Sequence, residues 1–299
     1  MKQNQLSFSI IIPTYNRPGQ LAACLDSLTR LDYPSHFFEV IVVDDGSKIP
    51  PEAVVARFRE KLDLTLLLRS HAGPASARNV GARRARGKFL VFTDDDCQPA
   101  EDWLQKIEGH FNENQTQAVG GPLVDACSDN PYSKTSHLLL DSLYRYFNRE
   151  VGAAQFLTSS NMAFPGEKFK EIGGFDESFP LAAGEDREFC DRWRHDGHKI
   201  MFDSAVRIYH TKPMAFGSFF NQHFSYGRGA FYFHRARGRR TGDGIKVEPF
   251  SFYWDLLHSP FAQDGLRSKF LISTLLLISQ VANAAGFFWE ALNSKKDFR

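Results

Sequence analysis

Short apolar runs alternate with helical patterns through the opening third of this 299-residue chain, and that rhythm narrows its fold more than any other feature. The runs are residues 8–12, 38–43, 64–68 and 88–93, and their β-branched and aromatic side chains read as buried strands. Between them, residues 17–31 set Leu21, Cys24, Leu25 and Leu28 at helical spacing, and residues 51–62 and 75–86 also read as helices. A chain with this rhythm folds as a doubly wound α/β sheet, which binds ligands beyond the carboxyl ends of its strands. Three of the four runs end in polar clusters: Pro13-Thr14-Tyr15-Asn16, Asp44-Asp45-Gly46-Ser47 and Asp94-Asp95-Asp96. The topology therefore predicts that these clusters converge on one edge of the sheet.

The aspartate triplet is the most demanding of the three. Adjacent carboxylates repel, and a strand end near the core offers little water to screen them. Two readings follow: a divalent cation held by hard oxygen ligands, or a solvated acidic turn that caps a helix beginning near Pro99. Glu185-Asp186 is a second acidic pair at a loop-to-helix junction, where it is either an N-cap or the carboxylate base of a transferase. Arg78 is either a surface helix residue or a cation that offsets phosphate charge. Tyr15 could stack on a base, and Asp44 or Asp45 could accept from a base N–H or a ribose hydroxyl. His210 closes a strand predicted over 205–209, where it is structural or completes the coordination of a metal. Further strands are expected over 120–124, 158–164 and 199–202, and helices over 136–147 and 189–195.

Composition excludes some classes. A net charge of +1 does not suit a nucleic-acid binder. The four cysteines show no zinc-type spacing and read as buried free thiols. No glycine-rich phosphate loop is present, since Gly227-Arg228-Gly229 is too short and too late to serve as one.

Together and in order, the motifs resemble those of family 2 glycosyltransferases. Ile10-Ile11-Ile12-Pro13-Thr14-Tyr15-Asn16-Arg17 and Val40-Ile41-Val42-Val43-Asp44-Asp45-Gly46-Ser47 are similar to that family's opening motifs. Ala77-Arg78-Asn79-Val80-Gly81 leading to Phe92-Thr93-Asp94-Asp95-Asp96 resembles its DxD segment. Gly173-Gly174-Phe175-Asp176-Glu177 followed by Gly184-Glu185-Asp186-Arg187-Glu188-Phe189 resembles its acceptor side and ED motif. The resemblance implies a GT-A fold, a mainly parallel mixed sheet flanked by helices. It also implies inverting transfer from a nucleotide-diphosphate sugar, by family preference a UDP-sugar, to a hydroxyl of a glycan or lipid-linked acceptor. By that likeness Pro13, Tyr15, Asp44 and Asp45 line the nucleoside pocket, with Asp94 on the ribose or phosphate side. Asp96, or else Asp95, binds Mg2+ or Mn2+, and His210 reaches the metal or the diphosphate. Asp186 is the base, and Glu185 shapes its environment. The rival expectation is a non-catalytic, membrane-tethered scaffold or nucleotide-sugar-binding protein on the same fold.

The chain divides by expectation into a catalytic domain over 1–212 and a helical extension over 213–299. Residues 216–240 alternate aromatics with arginines, which suits an interfacial helix or a helix packed on the catalytic domain. Residues 270–289 are free of charge and flanked by Arg267, Lys269, Lys295 and Lys296. The stretch is long enough to cross a bilayer, yet Ser273, Gln280 and Asn283 fall roughly on one face, so it could also lie in the interface. Residues 1–7 are polar, so no signal peptide is expected there. The expected location is accordingly the cytoplasmic face of the cell membrane.

Overall fold

The computed structural model describes residues 7–127, 129–150, 152–262 and 268–294. Arg267, Lys295 and Lys296, expected to flank the apolar C-terminal stretch, lie outside the described residues. The opening third of the chain builds β1 (Phe8–Thr14), α1 (Pro18–Leu28), β2 (Phe38–Asp44), α2 (Glu52–Ala56), β3 (Leu64–Leu68), α3 (Pro74–Arg84) and β4 (Phe89–Phe92). β1 pairs in parallel with β2 and with β4, and β2 with β3. Every residue of β1, β2 and β4 is buried, because helices cover both faces of the sheet. Ile10, Ile12, Val40 and Val42 face a core shared with Leu21 and Leu25 of α1. Ile11 faces the other side, with Phe92. Alternation along each strand thus feeds two cores from one uninterrupted apolar run.

The rest of the chain completes this sheet and adds a second. β5 (Cys97–Pro99), α4 (Trp103–Glu113), β6 (Ala118–Gly120), β7 (Leu123–Asp125), α5 (Pro131–Phe147), β8 (Met162–Pro165), α6 (Gly166–Glu171), α7 (Glu185–His195), β9 (Ile200–Phe202) and β10 (Ile208–His210) follow in order. Among the described residues the main sheet runs β3-β2-β1-β4-β8-β6-β9, with β8 antiparallel to both neighbours. A small sheet, β5-β10-β7, stands beside the end of β4.

Several expectations shift here. The run expected as one strand over 120–124 breaks at Gly121-Pro122. A Cβ on Gly121 would lie 2.0 Å from the Val206 carbonyl oxygen, and proline has no N–H for a ladder, so the chain changes sheets. The helix expected near Pro99 begins at Trp103, and the aspartate triplet runs into β5 instead. The triplet is therefore no helix cap.

The C-terminal third forms α8 (Phe216–Thr241), α9 (Phe250–His258) and α10 (Lys269–Asn293). α8 is not free to lie on a membrane along its length. Phe219, His223, Gly227, Gly229 and Phe233 are buried, and Arg240 pairs with Glu188 at 2.8 Å and Asp191 at 2.6 Å on α7. α8 and α10 meet backbone to backbone: a Cβ on Gly227 would sit 1.8 Å from the Asn283 carbonyl oxygen, and one on Gly286 1.9 Å from that of Phe224. Arg228 and the buried Glu290 close the contact at 2.6 Å.

Candidate active site

One cleft of about 1000 Å³ opens at the carboxyl edge of β1, β2 and β4 and extends between α5, α8 and α9. Pro13, Tyr15, Asp45, Arg78, Asp94, Asp95, Asp96, Glu185, Asp186 and His210 all line it. Eleven residues were expected at the site, and Asp44 alone is not among the lining ones. The Asp44 carboxylate accepts from the backbone N–H and hydroxyl of Ser47, which closes the turn after β2.

At one end, Asp45 is held in place by its own loop. It accepts from the N–H of Ala72 at 3.1 Å and of Gly73 at 2.8 Å, with Arg69 and His71 beside it. Tyr15 stacks on the His71 ring, centroids 4.4 Å apart, and both open onto the cleft. The two planar groups and a fixed carboxylate form a recess suited to a flat base.

The aspartate triplet divides three ways. Asp94 accepts from Arg78 at 2.7 Å and from the Ser160 hydroxyl at 2.6 Å. Asp95 turns inward, accepting from Thr14 at 2.8 Å and Arg17 at 3.1 Å. Burial, despite the opposing Arg17 charge, pushes its carboxyl up to about 6. Asp96 points the other way, 3.2 Å from Arg17 and 3.3 Å from Nε2 of His210. Burial alone would raise its carboxyl, but His210, Lys212 and Arg17 overcome that and hold it down at about 2.

Across the cleft, Gly184 adopts φ 88° and starts α7, and no side chain caps the helix. The capping explanation for Glu185 and Asp186 does not hold. Asp186 accepts from the N–H of Arg187 at 2.7 Å and of Ser159 at 3.3 Å, and burial still raises its carboxyl. Burial and the neighbouring Asp186 lift Glu185 to about 7 against the pull of Arg78. Arg78 is no surface residue. It is buried, with Nη2 on Asp94 and Nη1 3.1 Å from Glu185, and so joins the two acidic centres.

The sequence reading placed Thr14 in a converging cluster without giving it a role, and it missed Arg17, His71, Ser160 and Lys212. Arg17 directly follows the Pro13-Thr14-Tyr15-Asn16 cluster, which was signal enough to include it. Ser160 and Lys212 carried none, because only the folded chain brings them to the triplet.

Comparison with known proteins agrees with the fold. The family model described as glycosyl transferase family 2 matches residues 9–173, and one described as N-terminal domain of galactosyltransferase matches residues 140–213. The chain belongs to glycosyl transferase family 2. It is 26% identical over 225 residues to the glycosyltransferase AglE of Haloferax volcanii, covering 74% of this chain and 72% of that one. It is 28% identical over 253 residues to the chondroitin synthase of Pasteurella multocida, covering 70% of this chain but only 25% of the synthase. The mannosyltransferase PcManGT of Pyrobaculum calidifontis, solved with GDP-Man and Mn2+, superposes with a TM-score of 0.66 at 21% identity, over 95% of this chain and 87% of that one. Residues 1–349 of Staphylococcus aureus TarS, solved with UDP-GlcNAc, superpose with a TM-score of 0.59 at 18% identity, over 98% and 92%. These likenesses establish a GT-A fold.

Proposed function

We propose that this glycosyltransferase is inverting and divalent-metal-dependent, and that it transfers a sugar from a nucleotide-diphosphate donor, first of all a UDP-sugar, to a hydroxyl of a glycan or lipid-linked acceptor. The observation that carries this reading is the buried Arg78, which ties Asp94 at the end of β4 to Glu185 at the start of α7. It sets a donor end and a base end within one cleft.

In this reading Pro13, Tyr15 and Asp45 hold the nucleoside, and Asp94 with Arg78 sits beside the ribose and phosphates. Asp96 and His210 would hold the cation. Asp96 Oδ1 and His210 Nε2 stand 3.3 Å apart, near the about 3 Å expected between neighbouring ligands on an octahedral ion with bonds of about 2.1 Å. Cys97 Sγ lies in the same cluster, but hard ions such as Mg2+ and Mn2+ favour the oxygen of Asp96 and the nitrogen of His210 over a soft sulfur ligand. A bound cation supplies stabilisation of the charge that develops on the departing diphosphate. Asp186 takes the proton of the acceptor hydroxyl on the face opposite the leaving group. Its raised carboxyl makes it a stronger base than an exposed aspartate. Glu185 and Arg78 set its electrostatic surroundings, and direct displacement needs no covalent intermediate.

We assign residues 1–212 to the catalytic unit and residues 213–299 to a segment with two duties. Its inner face walls the cleft with His223 and Tyr226 of α8 and Gln280 and Asn283 of α10. Its outer face is apolar: Phe270 is 79% exposed, Leu277 51%, Val281 60% and Phe288 64%, all along one side of α10. α10 is long and apolar enough to cross a bilayer. Its polar side, with Ser279, Asn283 and Glu290, is committed to the protein, so lying flat in the headgroup layer suits it better than spanning. Membrane docking at the cytoplasmic face is the location this reading implies.

The test is release of nucleoside diphosphate from a panel of nucleotide sugars, with and without chelator. No turnover of any donor, under conditions where the protein is folded, would remove the catalytic reading in favour of a binding protein.

A further inference from the structure

Behind the Asp96–His210 pair stands a second histidine that the reaction does not itself require. His137, on α5, is buried with Nε2 3.2 Å from Nδ1 of His210. The opposite nitrogen of His210 is the one that faces Asp96, at 3.3 Å. Asp125, which pairs with His210 across β7 and β10, lies 3.9 Å from His137. His137 Nδ1 and Asp125 Oδ2 are buried without a hydrogen-bond partner among the described residues.

Two neutral imidazoles sharing one N···N contact must divide the roles, one donating and the other accepting. If His137 donates, the proton of His210 sits on Nε2 and is directed at Asp96, and no lone pair is left there for a cation. If His210 donates from Nδ1, its Nε2 lone pair faces the Asp96 carboxylate, an arrangement that is repulsive until a cation enters between them. We infer that His137 is a positioning residue: it accepts the Nδ1–H of His210, with its own proton on Nδ1, and so presents the His210 Nε2 lone pair to a divalent cation beside Asp96. The inference rests on the metal reading above. Partners of this kind that orient a ligating histidine typically change metal affinity by about 10- to 100-fold when removed.

The probe is Mn2+ alone, titrated by electron paramagnetic resonance into wild type, His137→Leu and His137→Gln. Nucleoside-diphosphate binding in chelator and thermal melting serve as controls for the fold. The expected result is Mn2+ binding weakened about 10- to 100-fold by His137→Leu, with His137→Gln close to wild type because its amide oxygen can accept in place of Nε2. Wild-type affinity in His137→Leu, or equal losses in both variants, overturns the inference while leaving the metal site in place. Absence of Mn2+ binding by wild type overturns the metal reading and this inference with it. If His137→Leu does not fold, long-range 15N spectra of the imidazoles in Mg2+-loaded wild type decide: His137 protonated at Nδ1 with a bare Nε2 supports the assignment, and His137 protonated at Nε2 overturns it.

Discussion

The guanidinium of Arg78 donates to the carboxylate of Glu185 at 3.1 Å across 107 residues of sequence, and both side chains are buried. An arginine from α3 therefore holds the first turn of α7 against the sheet edge. Glu185, Asp186 and Asp94 all feel its charge.

Arg78→Met leaves the buried Glu185 and the half-buried Asp94 and Asp186 without their cation. Breaking a buried pair in this way costs about 3–5 kcal/mol. Urea unfolding is expected to show a loss of that order, and adding Glu185→Gln to the variant should recover part of it. Additive losses in the double variant would mean that the pair is not coupled.

Asp186→Asn is expected to bind the nucleoside diphosphate with wild-type affinity by calorimetry while transfer falls about 100- to 10,000-fold, the range for losing a general base. Near-normal transfer would remove Asp186 from that role. The acid limb of kcat/KM should lie above the usual aspartate range, because burial raises this carboxyl and the base must be ionised.

Glu185 gives stability a pH dependence of definite sign. Its carboxyl rises from 4.5 in the unfolded chain to about 7 in the fold. The folded state therefore binds this proton more tightly. Its stabilising contribution is complete below the unfolded value and is lost as pH rises through the folded one. Chemical denaturation across that window should show stability falling with pH, and Glu185→Gln should flatten that part of the slope.

Asp95 and Asp96 should separate cleanly. Asp96→Asn is expected to abolish or strongly weaken Mn2+ binding. Asp95→Asn, at a carboxylate turned toward Thr14 and Arg17, should lower thermal stability and leave Mn2+ affinity nearly unchanged. The reverse pattern would exchange their roles.

The outer face of α10 can be tested by Leu277→Glu and Val281→Glu together. Both side chains are more than half exposed, so the fold should tolerate them. Flotation with vesicles of anionic lipid is expected to fall while donor hydrolysis in solution stays at the wild-type level. Unchanged flotation would argue against this face as the membrane contact.

The strands of the parallel half were readable because burial on both faces demands continuous apolar runs, and residues 8–12 and 38–43 are such runs. The three-residue strands of the small sheet carry no such pattern. β5, β7 and β10 were missed or misplaced because their pairing is set by the chain's return to the end of β4. Arg78 illustrates the same limit within the site. Its helix is polar overall, so nothing in the pattern distinguishes a buried arginine from the exposed ones nearby.

By itself, the sequence determined the α/β rhythm, the family and the strand-end clusters, since these follow from local periodicity and short ordered motifs. The tertiary structure decided which carboxylate faces which partner. Asp94, Asp95 and Asp96 are neighbours in sequence, yet they point to Arg78, to Thr14 and Arg17, and to His210. It also decided which way α10 faces, because the polar groups of that helix find their partners only once α8 is packed against it. Long-range pairing of buried charge is a property of the folded chain, and no window of sequence contains both partners.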